Sequence, residues 1–291
     1  VFRQIQTTDD SDALQTDLSH LETWSNTWLL RFHPDKCKVL TTGKQHDNNH
    51  KYNLCNTTLE HVDKEKDIGV TIDNKLNFEQ HMNEKINKAN SFMGLIRRTF
   101  TCLNGEMFLL LYKALARPNL EYANAIWSPF KVKDITALEN VQRRATKLIP
   151  TLKDLEYEQR LKKLKLPTLK YRRMRGDMIE AYKLTSGIYD EALPNLLTYN
   201  TTSATRGHNK KLTIQRCNKN IRSNFFTQRI APIWNSLPSN VVNAPTIQTF
   251  ESRLDKYWTN SEMKYNYRAK ADTGTGTETS QQITEDLSIV E

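Results

Sequence analysis

Asp134-Ile135-Thr136-Ala137-Leu138-Glu139-Asn140-Val141-Gln142-Arg143-Arg144-Ala145-Thr146-Lys147-Leu148 decides how the middle of this chain folds. Leu138, Val141, Ala145 and Leu148 recur at helical spacing and make one apolar face, so the stretch from about Lys133 to Ile149 is predicted as an amphipathic helix. Arg143, Arg144 and Lys147 fall off that face and are expected to project outward. Working outward, the same period predicts helices over about Phe78 to Thr99, Gly105 to Arg117, Leu120 to Trp127, Leu155 to Leu164 and Leu169 to Gly187. The last has Pro167 before it and Gly187 at its end, the usual asymmetry of helix starts and stops. Tyr112, Tyr122 and Trp127 share spacing with Leu111, Leu115 and Ile126, so they are read as core and not as base-stacking platforms.

Toward the N-terminus the pattern changes. Leu14, Leu18, Leu21 and Trp28 sit at helical spacing behind Asp9, Asp10 and Ser11, which offer capping oxygens, and this predicts a helix from about Asp12 to Leu30. Lys38 to Thr42, Lys51 to Leu54, Thr58 to Val62 and Asp67 to Ile72 are short β-favouring runs between polar stretches, read together as a small antiparallel sheet. The fold class is therefore α+β, with an α+β part at 1–77 and a helical part at 78–187. Residues 188–258 form a further region, with polar, turn-rich Thr198 to Gly207 as a linker. The tail, 259–291, is expected to be disordered, because Asp272 to Gln282 is almost devoid of apolar side chains and cannot offset its ordering entropy.

Charge is distributed as unevenly as the periodicity. Residues 1–84 carry 9 Lys/Arg against 14 Asp/Glu, a net of −5, while residues 85–175 carry 20 against 7, a net of +13. Arg97, Arg98, Arg143, Arg144, Lys147, Lys162, Lys163, Lys165, Lys170, Arg172, Arg173 and Arg175 make up much of that surplus. A block of this kind attracts polyanions by releasing condensed counterions, and such binding weakens as salt rises. The plainer reading is a solvated lysine-rich helix surface. Cys37, Cys55, Cys102 and Cys217 are far apart, with no Cys-x-x-Cys and no zinc-finger spacing, so neither a disulfide framework nor a metal site is predicted. No apolar run reaches the roughly 18 residues that a bilayer-spanning helix needs, and no signal peptide is evident. The expected compartment is intracellular and reducing, with nucleus or cytoplasm left open, and no membrane partner is expected.

Several blocks in a fixed order carry a family resemblance. They are Trp24-Ser25-Asn26-Thr27-Trp28, Phe32-His33-Pro34-Asp35-Lys36-Cys37-Lys38, Lys66-Asp67-Ile68-Gly69-Val70, Leu111-Tyr112-Lys113-Ala114-Leu115, Arg117-Pro118-Asn119-Leu120-Glu121-Tyr122 and Leu138 to Ala145. Their order resembles the C-terminal part of reverse transcriptases of non-LTR (LINE-type, jockey-like) retrotransposons, downstream of the catalytic Asp-Asp motif. The resemblance spans roughly residues 1–258 and includes Phe225 to Pro238 and Thr246 to Trp258. It implies a truncated palm end with a β-hairpin at 1–77, a basic helical thumb at 78–187 and a C-terminal region. The palm's metal-binding aspartates are expected to lie before Val1.

What the resemblance implies is carried residue by residue. Lys36 matches a palm lysine near the nucleotide triphosphate, a latent catalytic group here; otherwise it is an exposed lysine at a strand start. Ile68, Gly69 and Val70 match a primer-grip hairpin, Gly69 allowing close backbone approach; otherwise Gly69 is a bulge that bends a strand. Arg97, Arg98, Arg143, Arg144, Lys147, Lys162, Lys163, Arg172 and Arg173 would hold an RNA–DNA or DNA template-primer duplex by its backbone. Asp9-Asp10 lies among polar neighbours, unlike a catalytic strand, and is read as a helix cap. Mg²⁺ is implied for the intact parent polymerase and no cofactor for this piece, which is expected to bind but not to extend a primer without the preceding palm and fingers. A stand-alone nucleic-acid-binding protein derived from such an element, or a pseudogene product, remains the alternative.

Overall fold

The structure, a computed structural model, describes residues 1–43, 50–189, 196–200 and 207–270. The expectation for Asp272 to Gln282 lies outside the described residues, as does most of the Thr198 to Gly207 linker. The chain divides into two compact units, Val1–His81 and Met82 onward.

The first unit opens with helix α1 (Thr8–Trp28), which starts four residues before the predicted Asp12. Asp10 explains the early start: its Oδ2 accepts from the backbone N–H of Gln6 and of Thr7, both at 2.9 Å, tying down donors that the first turn leaves open. Those bonds hold its carboxyl below the usual range, which suits the capping role. Six short strands follow: β1 (Lys38–Leu40), β2 (Asn53–Leu54), β3 (Thr57–Thr58), β4 (Glu60–Val62), β5 (Lys64–Asp67) and β6 (Val70–Asp73). The predicted single antiparallel sheet is not what forms. Three separate pairs do, and β1 pairs with β4 in parallel, Lys38 opposite Glu60. The cause is the β2–β3 hairpin, which reverses the chain at Cys55-Asn56, both at positive φ, so that β4 leaves it alongside β1 in the same direction.

Gln15 ties α1 to that hairpin, accepting from the Asn53 N–H at 2.8 Å and donating to the Asn53 carbonyl at 3.0 Å. Leu14 and Leu18 pack on the buried Tyr52, Leu54 and Leu59. Trp28, predicted on the same stripe, is instead exposed, and so are Trp24, Leu29 and Leu30. A cleft of about 990 Å³ runs between α1 and β1, lined by Leu14, Leu18, Leu21 and Val39 among others.

The second unit is helical, from Met82 of α2 (Glu79–Thr99) onward: α3 (Gly105–Leu111), α4 (Arg117–Glu121), α5 (Asn124–Trp127), α6 (Val132–Thr146), α7 (Tyr157–Leu164), α8 (Leu169–Thr185), α9 (Asn220–Ser223), α10 (Phe226–Ser236), α11 (Ser239–Val242) and α12 (Ile247–Tyr257). A π turn over Tyr112–Ala116 joins α3 to α4 without a break. Pro118 lacks the N–H that would continue an α register, and Arg117 instead donates five residues back to the Tyr112 carbonyl. Tyr112 and Trp127 are core, as their spacing predicts, whereas Tyr122 is 48% exposed with Lys85 Nζ 5.8 Å from its ring.

Residues 188–258, expected as a region of their own, share one core with α8. Tyr171, Met178, Ala181 and Tyr182 pack with Leu197, Leu212, Phe226, Ile230, Trp234, Phe250 and Leu254. Arg229 joins α10 to α8 through both oxygens of Asp177, at 2.9 and 3.0 Å. The start of the expected tail also belongs to this unit. Met263 and Tyr267 are buried, and Thr168, the N-cap of α8, donates its hydroxyl to the Met263 carbonyl at 2.8 Å.

Candidate nucleic-acid interface

The basic residues predicted to meet a nucleic-acid backbone divide into three groups. Arg97, Arg98, Arg144, Lys147, Lys162 and Lys163 are exposed. Arg97 and Arg98 end α2, where cations also complement the helix dipole. Arg144 donates to Asn90 Oδ1 at 3.1 Å, and Lys162 pairs with Glu158 one turn earlier at 2.8 Å. Arg172 is held by both oxygens of Glu121 and contributes little free charge. Arg173 is 4% exposed, so its placement on the outer surface is corrected: α8 is buried on more than one side and carries it inward.

Arg143 also departs from expectation, being half-buried. Its guanidinium lies 5.3 Å from the Tyr157 ring and 5.6 Å from the Tyr267 ring, and donates to the Tyr267 hydroxyl at 3.1 Å. Such cation–π contacts are worth roughly 0.5–2 kcal/mol each according to solvent access. Burial would raise the Tyr267 phenol, but hydrogen bonds from Arg268 and Arg143 and their charges bring it below the ordinary range. The Arg143-Tyr157-Tyr267 stack floors a cleft of about 640 Å³ whose rim carries the exposed Lys147, Lys153 and Arg268. Asp154, Glu156 and Glu158 lie on the α7 side of the same cleft, which makes its charge asymmetric.

Beneath the cleft a polar network fixes α6, α7 and α8. Tyr157 donates to Glu139 at 2.5 Å, and Glu139 accepts from the Leu169 N–H at 3.1 Å, placing a carboxylate at the start of α8. Burial raises the Glu139 pKa, against the opposing effects of the Tyr157 hydrogen bond and the Arg173 charge. Gln142 accepts from Tyr112 at 2.9 Å and donates to the Pro167 carbonyl at 3.0 Å. Arg160 is buried against the C-terminal end of α6, donating to Thr146 Oγ1 at 3.0 Å, to the Arg143 carbonyl and to the Leu155 carbonyl. The exposed rim cations are thus carried on a braced scaffold. They can contact phosphate oxygens, and the half-buried Tyr157 ring offers an apolar edge.

Tyr157, Arg160, Tyr267 and Arg268 were not predicted as site residues. The cation count could have flagged Arg160, but no local pattern links Tyr267 to Arg143, which it meets from 124 positions away.

In the first unit Lys36 is exposed on a short 3₁₀ turn, Pro34–Lys36, just before β1. Ile68 and Gly69 form the two-residue turn of the β5–β6 hairpin, with φ of 41° and 78°, and Val70 is buried behind them. Gly69 therefore serves a tight hairpin turn, where positive φ is required, and not a strand bulge. Among the described residues no group of three or more His, Cys, Asp or Glu side chains could hold a metal ion, and no helix is long and apolar enough to cross a membrane. Neither protein-family models, nor curated proteins, nor solved structures gave a match to the chain.

Proposed function

We propose that this chain binds nucleic acid through its second unit, as the thumb-like C-terminal part of a reverse transcriptase of the non-LTR type. The observation that carries the reading is the Arg143-Tyr157-Tyr267 cleft with Lys147, Lys153 and Arg268 exposed on its rim. It lies within the basic block of 85–175 and is completed by the 261–268 segment. Contacts of lysine and arginine to phosphate position a duplex without reading its sequence. The order of the sequence blocks supplies the family part of the proposal, including a template-primer duplex as partner. Lys36 and the Ile68-Gly69 hairpin tip are proposed to face the primer terminus and triphosphate in an intact polymerase that supplies its own Mg²⁺ site.

The test is salt-dependent binding to an RNA–DNA hybrid, followed by fluorescence anisotropy. If about five phosphates are neutralised, log affinity falls with log salt at a slope near −4.5. Changing Arg144, Lys147 and Arg268 together to Ala removes three exposed charges without touching the braced Arg143, and the slope then flattens by about 2 to 3. An affinity independent of salt, or a slope unchanged in the triple variant, refutes the interface.

A further inference from the structure

Arg173 presents a chemical problem that the nucleic-acid surface does not answer. Its side chain makes no hydrogen bond and no ion pair among the described residues, and Nη1 is enclosed without any partner. Buried donors are almost always satisfied, and an enclosed guanidinium N–H with no acceptor carries its full desolvation cost. Glu139, Glu121 and Asp177 lend it charge but no acceptor. Glu139 is engaged by the Tyr157 hydroxyl and the Leu169 N–H, Glu121 by Arg172, and both oxygens of Asp177 by Arg229.

Arg173 lines a cleft of about 140 Å³, roughly five water volumes at about 30 Å³ each. The cleft also presents Lys170, Arg229 and Ser128, between apolar walls that include Pro129 and Ile233. Lys170 spends one proton on the Ala269 carbonyl at 2.8 Å and has two others to give. Asp177 is the one carboxylate in the lining, against three cations. Burial lowers the Lys170 pKa and the Arg173 charge lowers it further, against an opposing pull from Glu139.

We infer that this cleft is a binding site for a phosphate group, with Arg173 donating to its oxygens and Lys170 and Ser128 completing the shell. A planar guanidinium on an apolar-walled cleft suits a tetrahedral oxyanion, and a bound phosphate would supply the hydrogen-bond acceptor that Nη1 lacks. The inference does not depend on the nucleic-acid reading, because inorganic phosphate and the terminal phosphate of a nucleotide offer the same chemistry.

Isothermal titration of the full chain with sodium phosphate, against sodium chloride at equal ionic strength, tests it. Saturable one-to-one binding is expected, weakened at least roughly tenfold in Arg173→Met and several-fold in Lys170→Met. The double variant Arg144→Ala, Lys147→Ala should bind phosphate as the parent chain does, which separates this site from the outer surface. A 5′-phosphorylated dinucleotide and its unphosphorylated twin identify the source: Arg173-dependent binding of the phosphorylated form alone shows that a terminal phosphate is accepted, and inorganic phosphate binding alone shows a free ion. If circular dichroism shows that Arg173→Met does not fold, Lys170→Met decides. No binding of either phosphate source, or equal affinity in the parent chain and in whichever of these two variants folds, overturns the site.

Discussion

Tyr52, Leu54 and Leu59 form a buried apolar cluster in the first unit, whereas the cluster around α8 and α10 in the second joins eighteen buried residues. The first unit compensates with polar ties, such as Gln15 to the Asn53 backbone and Lys38 to Glu60 at 2.6 Å, while leaving Trp24, Trp28, Leu29 and Leu30 exposed. The second unit buries charge as well as apolar surface. The contrast teaches that the negatively charged N-terminal unit draws little stability from its own core, and that the basic unit has enough to carry unfavourable groups such as Arg173 and Glu139 inside it.

The contrast is sharpest at Trp234, which is fully buried between His208 and Phe250. Trp234→Ala should cost about 3–5 kcal/mol, and Leu54→Ala should fall near the lower end of about 2–5 kcal/mol, because a small cluster collapses more readily around a gap. Urea unfolding monitored at 222 nm measures both; equal losses would break the comparison. Thr168→Val removes both the cap of α8 and the bond to the Met263 carbonyl, and should destabilise the second unit by about 1–3 kcal/mol. Faster amide exchange over 262–267 in that variant would show this segment loosening with it; unchanged exchange there would argue that Met263 and Tyr267 hold by packing alone.

A pH response should also arise in the second unit. His208 is buried with Nε2 3.1 Å from the Trp234 carbonyl and Nδ1 accepting from the Lys210 N–H, so the folded ring is neutral. Burial lowers its pKa below the ordinary histidine value of about 6.5. The unfolded chain therefore binds the extra proton first, and stability contributed by His208 is present above about pH 6.5 and is lost as pH falls toward the folded value, at a slope of at most about 1.4 kcal/mol per pH unit. The parent curve minus that of His208→Asn isolates the effect, and a flat difference between pH 7 and 5 would contradict it. The smallest change belongs to the first unit. Ile68 holds φ of 41° as a β-branched residue, and Ile68→Asn should stabilise the β5–β6 hairpin by about 1 kcal/mol. A loss of stability instead would show that the exposed isoleucine is held by contacts stronger than the strain.

What could be read from the residues follows the range of the forces. Helix α6 was legible because Leu138, Val141 and Ala145 define its buried face within eight residues. The strands were legible as extended runs but not in their pairing, since segments of two to four residues cannot show a period and β1 meets β4 across 22 positions. Arg173 was misplaced by the cluster Arg172-Arg173-Arg175, although Leu169, Arg173, Asp177 and Ala181 fall every four residues and are all buried. That spacing was the available signal. Nothing local marks Tyr267, whose role depends on a cleft assembled from α6 and α7.

The polar bonds that close the second unit reach it late in synthesis. Arg143, Thr168 and Lys170 each acquire a partner between residues 263 and 269. At about 5–20 residues per second, the 124 positions separating Arg143 from Tyr267 take on the order of 6–25 s to translate. Throughout that interval α6 to α8 can assemble while Arg143 lacks its second aromatic face and the α8 cap lacks its acceptor. A nascent chain stalled before residue 263 would therefore present a helical array with an open basic cleft, and release of residues 263–269 would act as the final latch on these contacts.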